Sequence, residues 1–298
     1  MMKADSTEID LPNLRHRILG CWLGKAVGGT LGMPYEGDAG PLSLCFYDPV
    51  PETMVANDDL DLQILWACLL DRMKSPRVSL KMFENAWRDH ITFPWDEYGV
   101  CKRNLRLGFK PPDSGAFDNW FANGMGAAIR SEIWACLAPG DPPRAAQYAR
   151  MDACLDHAGD GLWAEVFFAA AQSRAFAGGV IREILQVGLE QLPSGSMLTA
   201  AITDTFNWWD SSHDWRRVRG KILERYGHEN FTQCNREHSF TVLGCWTGME
   251  TLGAAFAPQQ IVERTRTAQR LRLERFLGYS SPIVSGRNGL IRSVESWF

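Results

Sequence analysis

Apolar residues recur at the spacing of an amphipathic α-helix along most of the chain, and this periodicity constrains the fold more than any other feature. The segments between these runs, at 34–51, 110–118 and 138–143, are rich in Gly, Pro and Asp, as is typical of loops. No run of alternating β-branched residues indicates a sheet. The sequence therefore predicts an all-α fold, built as a single compact multi-helix domain. Helices are expected at Leu14–Gly32, Leu60–Met73, Leu80–His90, Asn123–Leu137, Arg144–His157, Trp163–Phe176, Val180–Leu192, Met197–Trp209 and Trp215–Tyr226.

Composition excludes several classes of partner. The chain has 298 residues, 45% of them hydrophobic, which is enough for a substantial core. Its net charge of −4 gives no general attraction to nucleic acid or anionic membranes, so we expect no sequence-specific nucleic-acid binding and no membrane partner. No apolar run approaches the roughly 20 residues that span a bilayer, and the polar start of the chain does not resemble a secretory signal. The 8 cysteines form no CxxC pair, which favours reduced thiols and a cytoplasmic location.

Four glycines form a bare stripe along the first predicted helix: Gly20, Gly24, Gly28 and Gly32. A glycine costs about 1 kcal/mol relative to alanine in a helix interior, so the stripe predicts close packing against another helix. The length of the segment and the charge of Lys25 exclude a membrane dimer motif.

The residues Asn57, Asp58 and Asp59 come directly before the next apolar run and permit two interpretations. In the first turn of a helix, the acids would complement the helix dipole and Asn57 would cap a free backbone N–H group. As ligands, their oxygens would suit a hard cation such as Mg²⁺, which one or two carboxylates often hold. Glu36 lies in a turn after the glycine-rich helix and could join them as a third carboxylate. The residues alone leave both interpretations open.

Three sequence blocks, in this order, resemble the ADP-ribosylglycohydrolase family. The first is GKAVGGTLGMPYEG, which contains Glu36. The second is NDDLDLQILW, which is similar to the family's Thr-Asp-Asp metal motif with Asn57 in the Thr position. The third runs from Asn123 to Ala171 and is similar to the family's substrate loop and its His-containing segment, here with His157. The resemblance extends over residues 15–248, with gaps.

The resemblance implies an all-α domain with a central cleft for two Mg²⁺ or Mn²⁺ ions. It implies hydrolysis of the glycosidic bond at C1 of the distal ribose in an ADP-ribosyl group, so the expected partner is an ADP-ribosylated substrate. Such bonds break through an oxocarbenium-like state that carboxylates stabilise. By position, the expected catalytic residues are Glu36, Asp58 and Asp59, the expected metal ligands are Asn57, Asp58 and Asp59, and the expected substrate-binding residues are Asn123, Gly124, Gly126 and His157.

Two positions depart from the family's pattern. Gly29 stands where the family often has Asp, and Asn57 lacks the hydroxyl of the usual Thr. These departures leave the metal affinity and the substrate class open. His157 is equally compatible with a structural role, since a single histidine in an apolar context is often part of a core.

The family's last metal motif, an Asp-Thr-Asp segment, is missing, and five arginines occupy Arg264–Arg275 instead. If the codons of Thr265–Gly278 are read one base earlier, the genetic code permits DTDCTAATLGAFLG, which is similar to that motif. We therefore interpret residues 12–249 as the family's domain and 250–298 as an out-of-frame tail that follows a frame slip near Met249. Without two carboxylates, a second metal ion would lack compensating charge. The chain is thus expected to be poorly stable and nearly inactive.

Three functions are compatible with these sequence features, and each predicts a different behaviour towards ADP-ribose. A metal-dependent glycohydrolase would release ADP-ribose from a conjugate when Mg²⁺ is present. A catalytically degenerate relative would bind ADP-ribose or act structurally without turnover, in agreement with Asn57, Gly29 and the altered tail. A generic helical interaction protein would neither bind ADP-ribose nor release it.

Overall fold

The computed structural model describes residues 11–38, 40, 47, 50–51, 58–73, 77–230, 232–235, 239 and 242. Within these residues the chain consists of α-helices joined by turns and loops, with no β-strand. The all-α prediction is confirmed. The helices are α1 Leu11–Gly32, α2 Asp58–Asp71, α3 Leu80–Asp89, α4 Asp96–Arg106, α5 Asp113–Ala116, α6 Glu132–Leu137, α7 Pro142–Ala153, α8 Gly159–Phe176, α9 Ile181–Leu189, α10 Met197–Ser212 and α11 Trp215–Tyr226.

Two segments differ from the predicted helices. The prediction of one helix over Asn123–Leu137 is wrong, because the first residues form turns, followed by a short 3-10 turn at Ala128–Arg130 and then by α6. Two glycines at the start of this segment lower its helix propensity. The apolar pattern also misses α4, whose buried face includes polar Asn104 beside Leu105 and therefore lacks a clear apolar stripe.

Polar side chains fix the starts of several helices. In each case a side-chain oxygen accepts a hydrogen bond from a backbone N–H group of the first turn, which stabilises a helix by about 1 kcal/mol. The capping residues are Ser79 for α3, Asp141 for α7, Ser196 for α10 and Asp214 for α11.

The larger of two hydrophobic clusters lies between α2, α3, α4, α6, α7 and α8. Aromatic rings form its centre. Phe83 meets Trp66 edge to face at a centroid distance of 5.0 Å and meets Trp134 in the same way at 5.3 Å. All three side chains are fully buried, so this contact gives both burial and geometric specificity to the packing of α2, α3 and α6.

The second cluster lies between α8, α9, α10 and α11. It contains Phe167 of α8, Ile202 of α10 and Ile222 of α11, all buried. Val166 and Ala170 of α8 belong instead to the larger cluster. α8 therefore lies between the two cores and is buried on both sides.

The predicted packing partner of the glycine stripe on α1 is not found within the described residues. No described atom lies within 4 Å of a Cβ built on Gly20, Gly24, Gly28 or Gly32, apart from the backbone of α1 itself. The four glycines are exposed, although α1 itself contacts α2, α6 and, through Arg17, the end of α8.

Neither a disulfide nor a membrane span is seen in the described part of the chain. Its cysteines are free thiols: Cys21, Cys68, Cys101, Cys136, Cys154 and Cys234. None of its helices combines the length and the apolar character needed to cross a bilayer.

Candidate functional site

The structure brings Glu36 close to Asp58 and Asp59. Glu36 follows the short 3-10 turn Met33–Tyr35 at the end of α1, and the two aspartates are the first residues of α2. Partial burial, followed by the charges of Asp58 and Asp59, raises the pKa of Glu36. The three carboxylates, called the carboxylate site below, therefore interact electrostatically across the junction between α1 and α2. The two interpretations of Asp58 and Asp59 are thus compatible, since a helix start and a carboxylate cluster coincide here.

Asp58 carries negative charge that its surroundings do not fully compensate. Desolvation by the surrounding protein, although the side chain still reaches solvent, and then the charge of Asp59 raise the pKa of Asp58. Backbone N–H groups at the start of α2 and the ammonium group of Lys25 lower it, but by less. A carboxyl group with a raised pKa is stabilised by a nearby cation, so the site favours binding of positive charge.

Lys25 of α1 already supplies one positive charge. Its Nζ lies 3.5 Å from Oδ2 of Asp59 and 3.5 Å from Oε1 of Glu132, the first residue of α6. Gln63 of α2 completes the arrangement, since its Nε2 donates to Oε2 of Glu132 at 2.9 Å. Three helices thus meet through one ammonium group next to the carboxylate site.

The donor atoms of the carboxylate site are hard oxygens of the kind that bind Mg²⁺ or Mn²⁺. Glu36 and Asp58 are exposed to solvent, whereas Asp59 is half-buried and pairs with Lys25. Among the residues that the structure describes, no three or more His, Cys, Asp or Glu side chains are arranged as a metal site. Asn57 lies outside the described residues. Binding of one ion or of two at this site therefore stays a prediction.

The predicted substrate-binding residues Asn123, Gly124 and Gly126 lie together in a loop, called the glycine loop below (residues 123–126). Oδ1 of Asn123 accepts a hydrogen bond from the backbone N–H of Asp160 at 3.0 Å, at the start of α8. A Cβ on Gly161 would lie 2.9 Å from the carbonyl oxygen of Gly124, so the loop backbone packs directly on this helix. The glycine loop is therefore held against the start of α8 by the side chain of Asn123 and by close backbone packing.

His157 lies beneath the glycine loop, with its imidazole fully buried. Its Nδ1 is 3.1 Å from Oδ1 of Asp156, and a Cβ on Gly126 would lie 3.3 Å from its Cε1. The two ring nitrogens make no well-aligned hydrogen bond with the described residues. In this position the imidazole supports the loop from inside, and its contact with substrate stays a prediction.

Helix α4 brings two residues that the sequence analysis misses, Glu97 and Tyr98, to the same region. The carboxyl group of Glu97 contacts Gly126 so closely that a side chain there would clash. The hydroxyl of Tyr98 is buried without a hydrogen-bond partner among the described residues. Burial raises the pKa of Tyr98 well above its ordinary value, and the charges of Glu97 and Asp58 add to this effect. The hydroxyl of Tyr98 therefore interacts electrostatically with Asp58 of the carboxylate site and with Glu97, which contacts the glycine loop.

A buried charged cluster accompanies the glycine loop. It is called the Arg130 cluster below, and its members are all fully buried: Arg130, Asp152, Asp156 and Glu165. Nε of Arg130 donates to Oδ2 of Asp152 at 3.1 Å, and its two terminal nitrogens donate to the oxygens of Asp156 at 2.9 and 2.6 Å. Nε1 of Trp134 donates to Asp152 at 3.1 Å and to Glu165 at 2.7 Å. The cluster ties the segment after the glycine loop to α7 and α8.

The sequence model of the ADP-ribosylglycohydrolase family matches residues 10–258 of the chain. The chain therefore belongs to the ADP-ribosylglycohydrolase family, a family of hydrolases that act on ADP-ribosyl groups. This match confirms the resemblance and argues against an unrelated helical interaction protein. Comparisons with curated proteins and with solved structures give no match. Met249 and the tail 250–298 lie outside the described residues, so the frame slip and the domain boundary stay predictions.

Proposed function

We propose that this chain is a metal-assisted hydrolase that cleaves the glycosidic bond at C1 of the distal ribose in an ADP-ribosyl group. The observation that carries the proposal is the convergence of Glu36, Asp58 and Asp59 at the α1–α2 junction. Family membership supports the substrate class. Tyr98, whose hydroxyl is influenced by both Asp58 and Glu97, supports a shared region between the carboxylate site and the glycine loop.

The proposed roles follow from chemistry. Glu36 is solvent-exposed and has a raised pKa, as suits a group that exchanges a proton with an attacking water. Asp58 and Asp59 would hold a Mg²⁺ or Mn²⁺ ion and, with Glu36, stabilise positive charge that develops on the ribose. A bound ion would supply a Lewis acid and a more nucleophilic water. The backbone N–H groups of the glycine loop can approach a pyrophosphate without a Cβ in the way.

The proposed activity is weaker than that of a complete site. The chain contains no Asp after Asp214, so the Asp-Thr-Asp segment expected from the family's pattern is missing. Mg²⁺ requires near-octahedral oxygen coordination, and few protein ligands leave most of its shell to water. We therefore expect slow turnover and weak metal affinity, so that activity requires a high metal concentration.

The test measures release of free ADP-ribose from a panel of conjugates: ADP-ribosyl-arginine, an ADP-ribosyl-serine peptide and an ADP-ribosylated DNA end. The full chain is incubated under single-turnover conditions with MgCl₂, MnCl₂ or EDTA, and ADP-ribose is quantified by chromatography. Release that requires a divalent ion supports the proposal. Release that is unchanged in EDTA overturns the metal dependence, and no release from any conjugate overturns hydrolysis.

A second candidate function is ADP-ribose binding without turnover. The ion pair between Lys25 and Asp59 favours it, because that pair occupies a carboxylate that a metal ion would need. Calorimetric titration with ADP-ribose separates the two candidates. Binding of ADP-ribose together with no release from any conjugate would select the second.

A further inference from the structure

The ammonium group of Lys25 is held at the carboxylate site by two carboxylates from different helices. Its Nζ lies 3.5 Å from Asp59 of α2 and 3.5 Å from Glu132 of α6. The side chains are mostly shielded from solvent, with exposed fractions of 14% for Lys25, 24% for Asp59 and 13% for Glu132. Such a pair is screened less by water and salt than an ion pair on an open surface.

We propose that Lys25 acts as a built-in cation of the carboxylate site: it competes with divalent metal ions for Asp59 and limits the site to one such ion per chain. The proposal rests on the proposed function, because it takes Asp58 and Asp59 as metal-binding residues. It adds a residue that neither the three sequence blocks nor the family match assigns to metal binding.

The surroundings of Glu132 make this competition feasible. Gln63 donates from Nε2 to Glu132 at 2.9 Å and accepts at Oε1 from the backbone N–H of Ile133, also at 2.9 Å. Glu132 is therefore held by Gln63 as well as by Lys25. When a metal ion takes Asp59, Lys25 keeps Glu132 as its partner, so its charge stays compensated while it moves away from the ion.

The balance of charge supports a single ion. Lys25 already places one positive charge next to Asp59 and Glu132. A second divalent ion would lie next to both the first ion and the ammonium group, which repel it strongly at short distance.

A purely structural role for Lys25 is the alternative, since the same contacts join α1 to α2 and α6. A structural lysine would affect the stability of the chain but not its affinity for metal. The test therefore reads metal binding directly and does not depend on catalytic activity.

Mn²⁺ is titrated into the full chain, and free Mn²⁺ is measured by electron paramagnetic resonance. The proteins compared are the wild type, Lys25→Met, Lys25→Arg and the control Lys110→Met. Lys110 is an exposed lysine between α4 and α5. The wild type, Lys25→Arg and Lys110→Met should bind one ion with similar affinity. Lys25→Met should bind Mn²⁺ about tenfold more tightly or take up a second ion, because a repelling charge is removed. Equal stoichiometry and affinity in Lys25→Met and the wild type overturn the proposal, as do two ions in the wild type.

A second measurement uses only the wild-type chain and so does not depend on folding of a variant. Acetylation of lysines by an amine-reactive reagent is followed by mass spectrometry with and without Mn²⁺. Mn²⁺ should increase the acetylation rate of Lys25 severalfold and leave that of Lys110 unchanged. An unchanged rate at saturating Mn²⁺ overturns competition for Asp59. If no form of the chain binds Mn²⁺, the metal dependence of the proposed function fails as well; if all forms bind it equally, only the role of Lys25 fails.

Discussion

The carboxylate site and the Arg130 cluster both gather several acidic side chains around one basic residue, but they differ in how far those side chains are buried. In the Arg130 cluster, every member is fully buried and the guanidinium donates to both Asp152 and Asp156. At the carboxylate site, Glu36 and Asp58 face solvent and Lys25 pairs with Asp59. The comparison shows that a fully buried set of charges joined by hydrogen bonds serves as a structural element, whereas carboxylates that face solvent leave charge available for a ligand.

The largest expected effect comes from breaking the buried cluster. Arg130→Met leaves three carboxylates buried without their cation, which should cost about 3–5 kcal/mol of the free energy of unfolding. Denaturation by urea, followed by circular dichroism, measures this loss. The matched control is Arg103→Met, since Arg103 pairs with Asp118 at the exposed surface and should contribute less than about 1 kcal/mol. Equal losses in the two variants would show that the Arg130 cluster is not a structural element.

The next effect concerns function rather than stability. Glu36→Gln keeps the shape of the side chain but removes its ability to exchange a proton, so ADP-ribose release should fall about 100-fold or more. The thermal unfolding midpoint should stay close to that of the wild type, because Glu36 is exposed. Glu183→Gln, at an exposed position near the start of α9, serves as the control and should leave release unchanged. Undiminished release by Glu36→Gln would remove Glu36 from the catalytic site.

A smaller effect is expected from the glycine loop. Gly126→Ala would place a methyl group against the carboxyl group of Glu97 and 3.3 Å from Cε1 of His157, which should cost about 1–3 kcal/mol. It should also weaken ADP-ribose binding measured by calorimetry. Gly220→Ala in α11 is the control, because no described atom lies within 4 Å of its Cβ position and alanine is the better helix former. That variant should be as stable as the wild type or more stable.

The smallest effect is a change in the pH dependence of stability. Burial, followed by the charge of Asp152, raises the pKa of Glu165 well above its ordinary value, although Arg130 opposes the change. Because the folded pKa is above the unfolded one, the contribution of Glu165 is fully present below the unfolded pKa and is lost as the pH rises through the folded pKa. The unfolded pKa of a glutamate is about 4.3.

Asp156 behaves in the opposite way. Burial alone would raise its pKa, but the charges of Arg130 and then His157 outweigh burial and lower the pKa of Asp156 to about 2. Its contribution to stability is therefore present above the unfolded pKa and is lost as the pH falls towards 2. The two carboxyl groups thus give stability contributions with opposite pH dependence.

Glu165→Gln tests this assignment. The amide has the shape of the protonated acid, so the variant should become progressively more stable relative to the wild type as the pH rises above the unfolded pKa of the glutamate. Urea denaturation at several pH values measures the difference, with Glu183→Gln as the exposed control. Parallel stability curves for Glu165→Gln and the wild type would contradict the raised pKa of Glu165.

The parts of the fold that follow local rules could be predicted from the sequence. α11 begins after the capping residue Asp214 and ends at Tyr226, at the bounds that its apolar spacing predicts. α4 could not be predicted in this way, because its buried face includes Asn104, whose side chain donates to backbone carbonyl groups of a later segment. A polar residue that is buried through distant contacts leaves no apolar signal in its own segment.

The same distinction applies to the candidate site. Glu36, Asp58 and Asp59 stand in recognisable blocks at the ends of predicted helices, so their proximity could be anticipated. The bridge from Lys25 to Glu132 depends on how α1, α2 and α6 pack, and nothing in the local sequence reports that packing. Glu97 was missed for the same reason, since its only local signal is its place in the acidic first turn of α4.

The position of α8 between the two hydrophobic clusters has a consequence for how the molecule denatures. Phe167 belongs to one core and Val166, its neighbour along the chain, belongs to the other. Unfolding of α8 would remove packing contacts from both hydrophobic clusters at once. The two clusters should therefore unfold together in one cooperative transition. A cut between α9 and α10 should accordingly yield two fragments that are each unable to fold alone.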